Sequence, residues 1–212
     1  MTESLTRFIS IEGGEGAGKS TLIRGLVRHF ADLGLPLLQT REPGGTALGD
    51  GLRAMLLDPA QPPVHPEAEL LMMFASRAQL VREVIRPALA AGQWVLCDRY
   101  VDASFAYQGA GRGQPADRIE GLREWVCGDT MPALTLLLDL PVDIGRARAA
   151  GRGEADRIEA EGNGFFERVQ AVYRQRAADE PQRFQLIDAS APPDEVLARA
   201  VAALAPLLAI GA

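Results

Sequence analysis

Lysine occurs once in this chain of 212 residues, at Lys19, and the other 21 of its 22 basic side chains are arginine. Cysteine and histidine are almost as scarce, with two of each. Cys97 and Cys127 form no Cys-x-x-Cys, and His29 and His65 stand far apart in sequence. The pattern offers neither a zinc site nor a disulfide framework and fits a reducing cytoplasm. No apolar run reaches the ~18 residues of a membrane span, and Met1 to Arg7 lack the apolar core of a signal peptide. A cytoplasmic protein with no membrane partner is therefore expected. A surplus of positive charge is missing too: formal net charge is −6 and the pI is near 5.1. That argues against a nucleic-acid polymer, whose binders need a basic face to displace counterions, and leaves a small anion held by a few placed cations. Where a composition avoids lysine everywhere but one position, that position calls for a compact, rotatable ammonium, which arginine's planar fork does not copy.

What is present is an ordinary globular mix, 47% hydrophobic and 24% charged. The length suits one domain over residues 1–212. Short apolar runs at Phe8–Glu12, Leu35–Thr40, Trp94–Asp98, Leu134–Asp139 and Phe184–Asp188 read as strands, the third and fourth apolar enough to be buried on both faces. Between them Ser20–Leu33, Pro66–Ala91, Pro115–Cys127, Pro141–Ala150, Ile158–Ala178 and Pro192–Leu208 read as helices, with Gly34 and Gly92 placed as helix stops and Pro115 and Pro141 in first turns. The alternation predicts an α/β fold: a doubly wound parallel sheet of about five strands with helices on both faces. Asp58–Pro66, with four prolines, reads as a rigid loop. Residues 146–157 pack four arginines and two glycines and read as a short basic lid.

Gly13-Gly14-Glu15-Gly16-Ala17-Gly18-Lys19-Ser20 matches G-x-x-x-x-G-K-[ST] between a predicted strand and a predicted helix, the context of a P-loop. Glycines let successive backbone N–H groups turn toward phosphate oxygens, and the new helix adds its positive end. Lys19 is expected on the β- and γ-phosphates, Ser20 on Mg²⁺, and the loop through Thr21 on ATP. With no Asn-Lys-x-Asp to read guanine, a GTPase is poorly supported.

Further polar segments stand at ends of predicted strands, the edge where ligands bind in open α/β sheets. Thr40-Arg41-Glu42-Pro43-Gly44-Gly45-Thr46 feeds a helix carrying Arg53. Cys97-Asp98-Arg99-Tyr100 stops a buried strand at an acid beside a base; Asp98 suits a carboxylate near Mg²⁺ and Arg99 a bidentate phosphate clamp. A structural ion pair is the plainer reading of that dipeptide. Ser104-Phe105-Ala106-Tyr107-Gln108-Gly109 follows at once.

Taken in order, Glu-Gly-x-Glu-Gly-Ala-Gly-Lys-Ser, Arg-Glu-Pro-Gly-Gly-Thr, Asp-Arg-Tyr and Ala-Tyr-Gln-Gly resemble the thymidylate kinase family from residue 8 to the C-terminus. The resemblance implies a P-loop NTPase-type fold, transfer of the γ-phosphoryl group of ATP to dTMP giving dTDP, Mg²⁺ as cofactor, and a homodimer. It also implies substrate contacts. Glu15 is expected near the deoxyribose 3′-hydroxyl, Glu42, Pro43, Arg53 and Arg99 around the acceptor nucleotide, and Arg77 at the thymine edge. Ser104, Tyr107 and Gln108 are expected to line base and sugar, with the Tyr107 ring crowding C2′. Where the family commonly has a thymine-stacking Phe, four residues before Arg77, this chain has Met73; Phe74 stands three before. Both share a helix face with Arg77, so either could reach the base, and either could equally be core.

Phosphoryl transfer gathers two polyanions, so positive charge is the main demand. The P-loop carries no arginine, and the resemblance then implies a subclass with the arginine in the lid. Arg146, Arg148, Arg152 and Arg157 are the candidates. Arg152, between Gly151 and Gly153, is favoured for catalysis beside Lys19 and Arg99, with Arg148 and Arg157 on ATP. Two rivals stay open here: a kinase of another nucleoside or nucleoside monophosphate, and a P-loop ATPase switch.

Overall fold

The computed structural model describes residues 6–150 and 155–210. Strands β1 (Phe8–Gly13), β2 (Leu37–Arg41), β3 (Trp94–Asp98), β4 (Leu134–Asp139) and β5 (Phe184–Asp188) form one sheet in the order β2-β3-β1-β4-β5. Every pairing is parallel. The helices are α1 (Lys19–Asp32), α2 (Ala47–Leu57), α3 (Pro66–Leu80), α4 (Arg86–Ala90), α5 (Val101–Ser104), α6 (Ala116–Val126), α7 (Val142–Ala149), α8 (Asn163–Asp179) and α9 (Pro193–Ile210).

Strand residues alternate between two cores, as the period of two requires. Ile9 and Ile11 of β1, Trp94 and Leu96 of β3, and Leu134, Leu136 and Leu138 of β4 pack with Leu22, Leu26 and Phe30 of α1 and Val196, Ala200 and Leu204 of α9. On the other face Phe8, Val95 and Cys97 pack with Leu70, Phe74 and Leu80 of α3, and Leu137 packs with Phe165, Val169 and Tyr173 of α8. Helices thus cover both faces, the doubly wound arrangement that the strand–helix alternation predicts. Gly34 ends α1 at φ 67°; its N–H donates to Ala31 O and that of Leu35 to Phe30 O, the paired bonds of a Schellman stop. Gly92 closes α4 in the same way.

Three elements depart from the sequence reading. The helix expected over Pro66–Ala91 is interrupted by a π-helical turn at Val81–Ile85, and Pro87 just beyond it has no N–H to continue an i→i−4 ladder. The helix expected from Ile158 starts at Asn163, because the Asp156 carboxylate takes the N–H groups of Ile158 and Glu159 into a separate turn and Gly162 follows. Residues 101–111, read only as motif, are helical: α5 runs into a π-helical segment, Phe105–Gly111. Its aromatics and glycines have poor helix propensity; packing of Ala103, Ala106 and Tyr107 against Phe165, Val169 and Tyr173 of α8 overrides it.

The register sets the site. Arg41 lies opposite Asp98 and Ile11 opposite Asp98, so β2 and β3 end level while β1 runs on to Gly13. Glu42 N–H donates to Asp98 O and Arg99 N–H to Ile11 O, each at 2.9 Å, binding the loops beyond them into one rim.

Candidate active site

The loop from Gly13 to Lys19 leaves β1 and enters α1. Gly16 sits at φ 70°, and a Cβ there would stand 1.9 Å from Gly145 O of α7. Only glycine admits this approach, so α7, which leads to the lid, rests on the phosphate loop itself. Lys19 Nζ donates to Gly13 O (3.1 Å) and Gly14 O (2.8 Å). Burial, with the nearby Arg99 charge adding to it, draws the Lys19 pKa down to about 8.

One cavity of about 580 Å³ gathers Glu15, Gly16, Ala17, Gly18, Lys19, Ser20, Thr21, Glu42, Pro43, Arg53, Met73, Asp98, Arg99, Tyr107 and Gln108. Residues 13 and 14, Phe74, Arg77, Ser104, Arg148 and Arg157 are not among its lining residues. Arg53, on α2, donates from Nη1 to Pro43 O at 3.1 Å. Arg41, which the sequence reading left without a role, lines the same cavity and pairs with Asp50 at 2.8 Å. Asp98, at the end of β3, has a buried Oδ1 with no hydrogen-bond partner.

The structure separates Met73 from Phe74. Met73 lines the cavity. Phe74 belongs to the α3 core, with the Arg77 guanidinium 4.4 Å from its ring centroid. Arg77 is wholly buried. It pairs with Glu42 at 2.7 Å, and its Nη2 donates to Ser104 Oγ at 3.1 Å. Arg77 Nη1 and Glu42 Oε1 are buried without partners. Burial, against the pull of Arg77, leaves the Glu42 carboxyl above the usual carboxylate range. Two unsatisfied atoms on a buried pair are costly, and one of the two residues, Glu42, lines the cavity.

Arg99 holds a left-handed backbone conformation, φ 66°, unusual outside glycine. Its Nη1 donates to Gly13 O (3.0 Å) and Tyr173 Oη (3.2 Å), and its Nη2 to Tyr107 Oη (3.0 Å). Behind it is Glu12, a fully buried acid near the end of β1 to which the sequence motif assigns no role. Glu12 accepts Tyr100 N–H at 2.7 Å and Tyr173 Oη–H at 2.6 Å. Burial first, then the Asp102 charge, push its pKa up to about 7 against Arg99 and the two hydrogen bonds. A charged residue at the end of a mostly apolar strand, directly before a P-loop, was the available signal; the Tyr173 partner, 161 residues away, had none.

Beyond residue 154 the chain packs against α2 and α3. Arg157 Nη2 reaches Glu69 at 2.7 Å and its Nε donates to Leu56 O at 2.8 Å. Glu69, almost wholly buried on α3, also accepts Gln108 Nε2 at 2.9 Å and Arg112 Nε at 3.3 Å. Arg148 donates to Ala189 O at 3.0 Å and Arg146 to Glu161 O at 2.7 Å. Arg152, the favoured lid residue, lies outside the described residues.

The geometry has known counterparts. The family model described as thymidylate kinase matches residues 11–200. The chain is 52% identical over 199 residues to a thymidylate kinase of Pseudomonas putida (strain W619), covering 94% of this chain and 96% of that one. It is 51% identical over 200 residues to one from Alkalilimnicola ehrlichii, covering 94% and 92%. Among solved structures, a crystal structure of thymidylate kinase from Ehrlichia chaffeensis superposes with a TM-score of 0.75 at 27% identity, covering 93% of this chain and 97% of that one. A P-loop opening onto an arginine-lined acceptor cavity, and relatives alike over nearly their full length, place this chain in the thymidylate kinase family.

Proposed function

We propose a division of labour within the cavity for the reaction that this family membership assigns: ATP-dependent phosphorylation of dTMP to dTDP, with release of ADP. The observation that carries it is continuity, because the phosphate loop and the acceptor residues line a single space. Lys19 and the loop N–H groups hold the ATP phosphates. Arg53 and Arg99 hold the dTMP phosphate, and Glu15 meets the sugar 3′-hydroxyl as an acceptor. Arg77, through its unpartnered Nη1, donates to the thymine edge. Met73 packs on the base, and Tyr107 crowds C2′. Arg152 supplies lid charge over the transferring group.

The hydroxyl of Ser20 and the orphaned Oδ1 of Asp98 fit a hard, oxygen-ligated divalent cation that arrives with the nucleotide. Bound Mg²⁺ would neutralise phosphate charge there. Holding donor and acceptor in line is worth about 7–11 kcal/mol of barrier lowering, so no covalent protein intermediate is called for. The whole chain acts as one kinase unit. Cys97 and Cys127, both buried and free, suit the reducing cytoplasm where both substrates are found. Leu48 and Met55, seven residues apart and so on one face of α2, and Leu71 of α3 are exposed; they suit the apolar contact of a homodimer, which sedimentation of wild type against Leu71→Glu would test.

The first experiment measures ADP release with Mg·ATP against dTMP, dUMP, dCMP, dGMP, AMP, CMP and thymidine, with a no-acceptor control. Strong stimulation by dTMP, with dUMP a weaker second, is the expected result. Stimulation by a different acceptor would overturn the base and sugar contacts while keeping the kinase.

A further inference from the structure

We infer that Glu12 and Tyr173 are positioning residues for Arg99: a carboxylate–phenol relay, beneath the phosphate loop, fixes the guanidinium that faces the acceptor phosphate. The inference rests on the role proposed above for Arg99. It deepens that role by naming what holds the arginine.

Glu12 controls Arg99 from both ends. Its Oε1 accepts the N–H of Tyr100, the residue following Arg99. That bond pins the chain just beyond a residue held at φ 66°. Its Oε2 accepts the Tyr173 hydroxyl proton, which leaves the phenol oxygen's lone pairs to receive Arg99 Nη1 at 3.2 Å. Arg99 Nη1 also donates to Gly13 O, the carbonyl that Lys19 Nζ shares. The relay therefore sets two cations of the site, Arg99 and Lys19, against the same carbonyl. A long arginine side chain would otherwise lose rotamer freedom each time substrate binds. Here the loss is taken during folding.

Burying an acid so deeply is unfavourable; the neighbouring Asp102 has Arg176 and Arg183 as its cations, which leaves the buried Arg99, with Lys19, as the cations that Glu12 faces. Ordinary core packing would favour an apolar residue at a strand position that is 0% exposed. Neither Glu12 nor Tyr173 lines the substrate cavity. Their hydrogen bonds reach the site through Arg99 and the backbone at Tyr100, while the Tyr173 ring also packs edge-on against Tyr107, a contact that Tyr173→Phe keeps.

The test is a double-mutant cycle on the full chain with Mg·ATP and dTMP, reading kcat, both KM values and the melting temperature. Tyr173→Phe removes one oxygen and keeps the ring. It is expected to lower kcat by roughly 10-fold, since a misplacement of about 1 Å in a reacting group costs up to ~100-fold, with KM for ATP within about twofold. Glu12→Gln is expected to act in the same direction. In an Arg99→Ala background, itself down by at least ~100-fold, the further loss from Tyr173→Phe should vanish, because both changes act on one unit. Equal loss with and without Arg99, or a Tyr173→Phe kcat within twofold of wild type, would overturn the relay. Normal dTMP turnover by Arg99→Ala alone would instead remove the role of Arg99 and this inference with it. Should Glu12→Gln fail to fold, Tyr173→Phe decides the question alone.

Discussion

At the scale of single residues, Met73 and Phe74 show how sequence spacing leaves two side chains equivalent and packing separates them. Both stand on the Arg77 side of α3. Met73 faces the cavity, whereas Phe74 fills the core and lies under the Arg77 guanidinium. Their truncations should differ in kind. Met73→Ala removes apolar surface from the cavity wall, and on the base contact proposed above KM for dTMP is expected to rise on the order of tenfold, the equivalent of about 1.4 kcal/mol. Phe74→Ala opens a core cavity and is expected to cost about 3–5 kcal/mol of stability. Steady-state kinetics beside denaturant unfolding would separate them; a KM change confined to Phe74→Ala would reverse the assignment. The motif residues themselves were legible because their chemistry is local: a glycine–lysine–serine run shapes its own phosphate site. Glu12 was not, since its meaning depends on Tyr173 and on the Tyr100 amide, partners that only the fold brings near.

At the scale of elements, the strands were readable because burial on both faces makes them continuous apolar runs, and the helix stops because Gly34 and Gly92 act through their own φ. The segment from Val101 to Gly111 was not, since its helical state comes from α8 rather than from its own residues. The lid shows the same dependence. Sequence alone gives Arg157 a place on ATP, a role that the contacts described leave to test. In the structure its guanidinium bridges Glu69 of α3 and Leu56 O of α2, beside Gln108, which shares Glu69. On the lid role proposed above, an end tied there would make closure and acceptor binding one equilibrium, with apparent affinity decreasing as the closed fraction decreases. Arg157→Ala is therefore expected to raise KM for dTMP on the order of tenfold, and to raise ATP hydrolysis relative to transfer as water enters. Arg152→Ala should act on kcat and leave dTMP affinity nearly unchanged. Parallel kinetics on the two variants, with a no-acceptor control, would check the distinction, and identical profiles would refute it.

At the scale of the whole molecule, the site's geometry should be visible in the dependence of stability on pH. Asp102 is buried, which raises a carboxyl, but hydrogen bonds from Arg183 and the charges of Arg183 and Arg176 outweigh burial and hold it below its ordinary value. Its contribution is present at neutral pH and lost as the solution is acidified through its folded pKa. Glu12 runs the other way. With an ordinary value of 4.5 and a folded value of about 7, the native state binds the extra proton. Its stabilising effect is complete below 4.5 and is lost as pH rises through about 7. The groups facing Glu12 are Asp102, Arg99, Tyr173 and the Tyr100 amide, with Lys19, Cys97 and Tyr107 also within reach of its charge; the neutral amide of Glu12→Gln keeps its shape among them and titrates nowhere. The variant's melting temperature relative to wild type is thus expected to climb between pH 5 and 8, by roughly 2–4 °C for each kcal/mol of penalty removed. The same variant is expected to lose turnover. Scanning calorimetry across that window, beside kcat at each pH, would decide the point. A difference in melting temperature that stays flat with pH would show that the fold does not raise the Glu12 pKa. A rising difference together with falling kcat would mark an acid kept at a cost to stability because the placement of Arg99 depends on it.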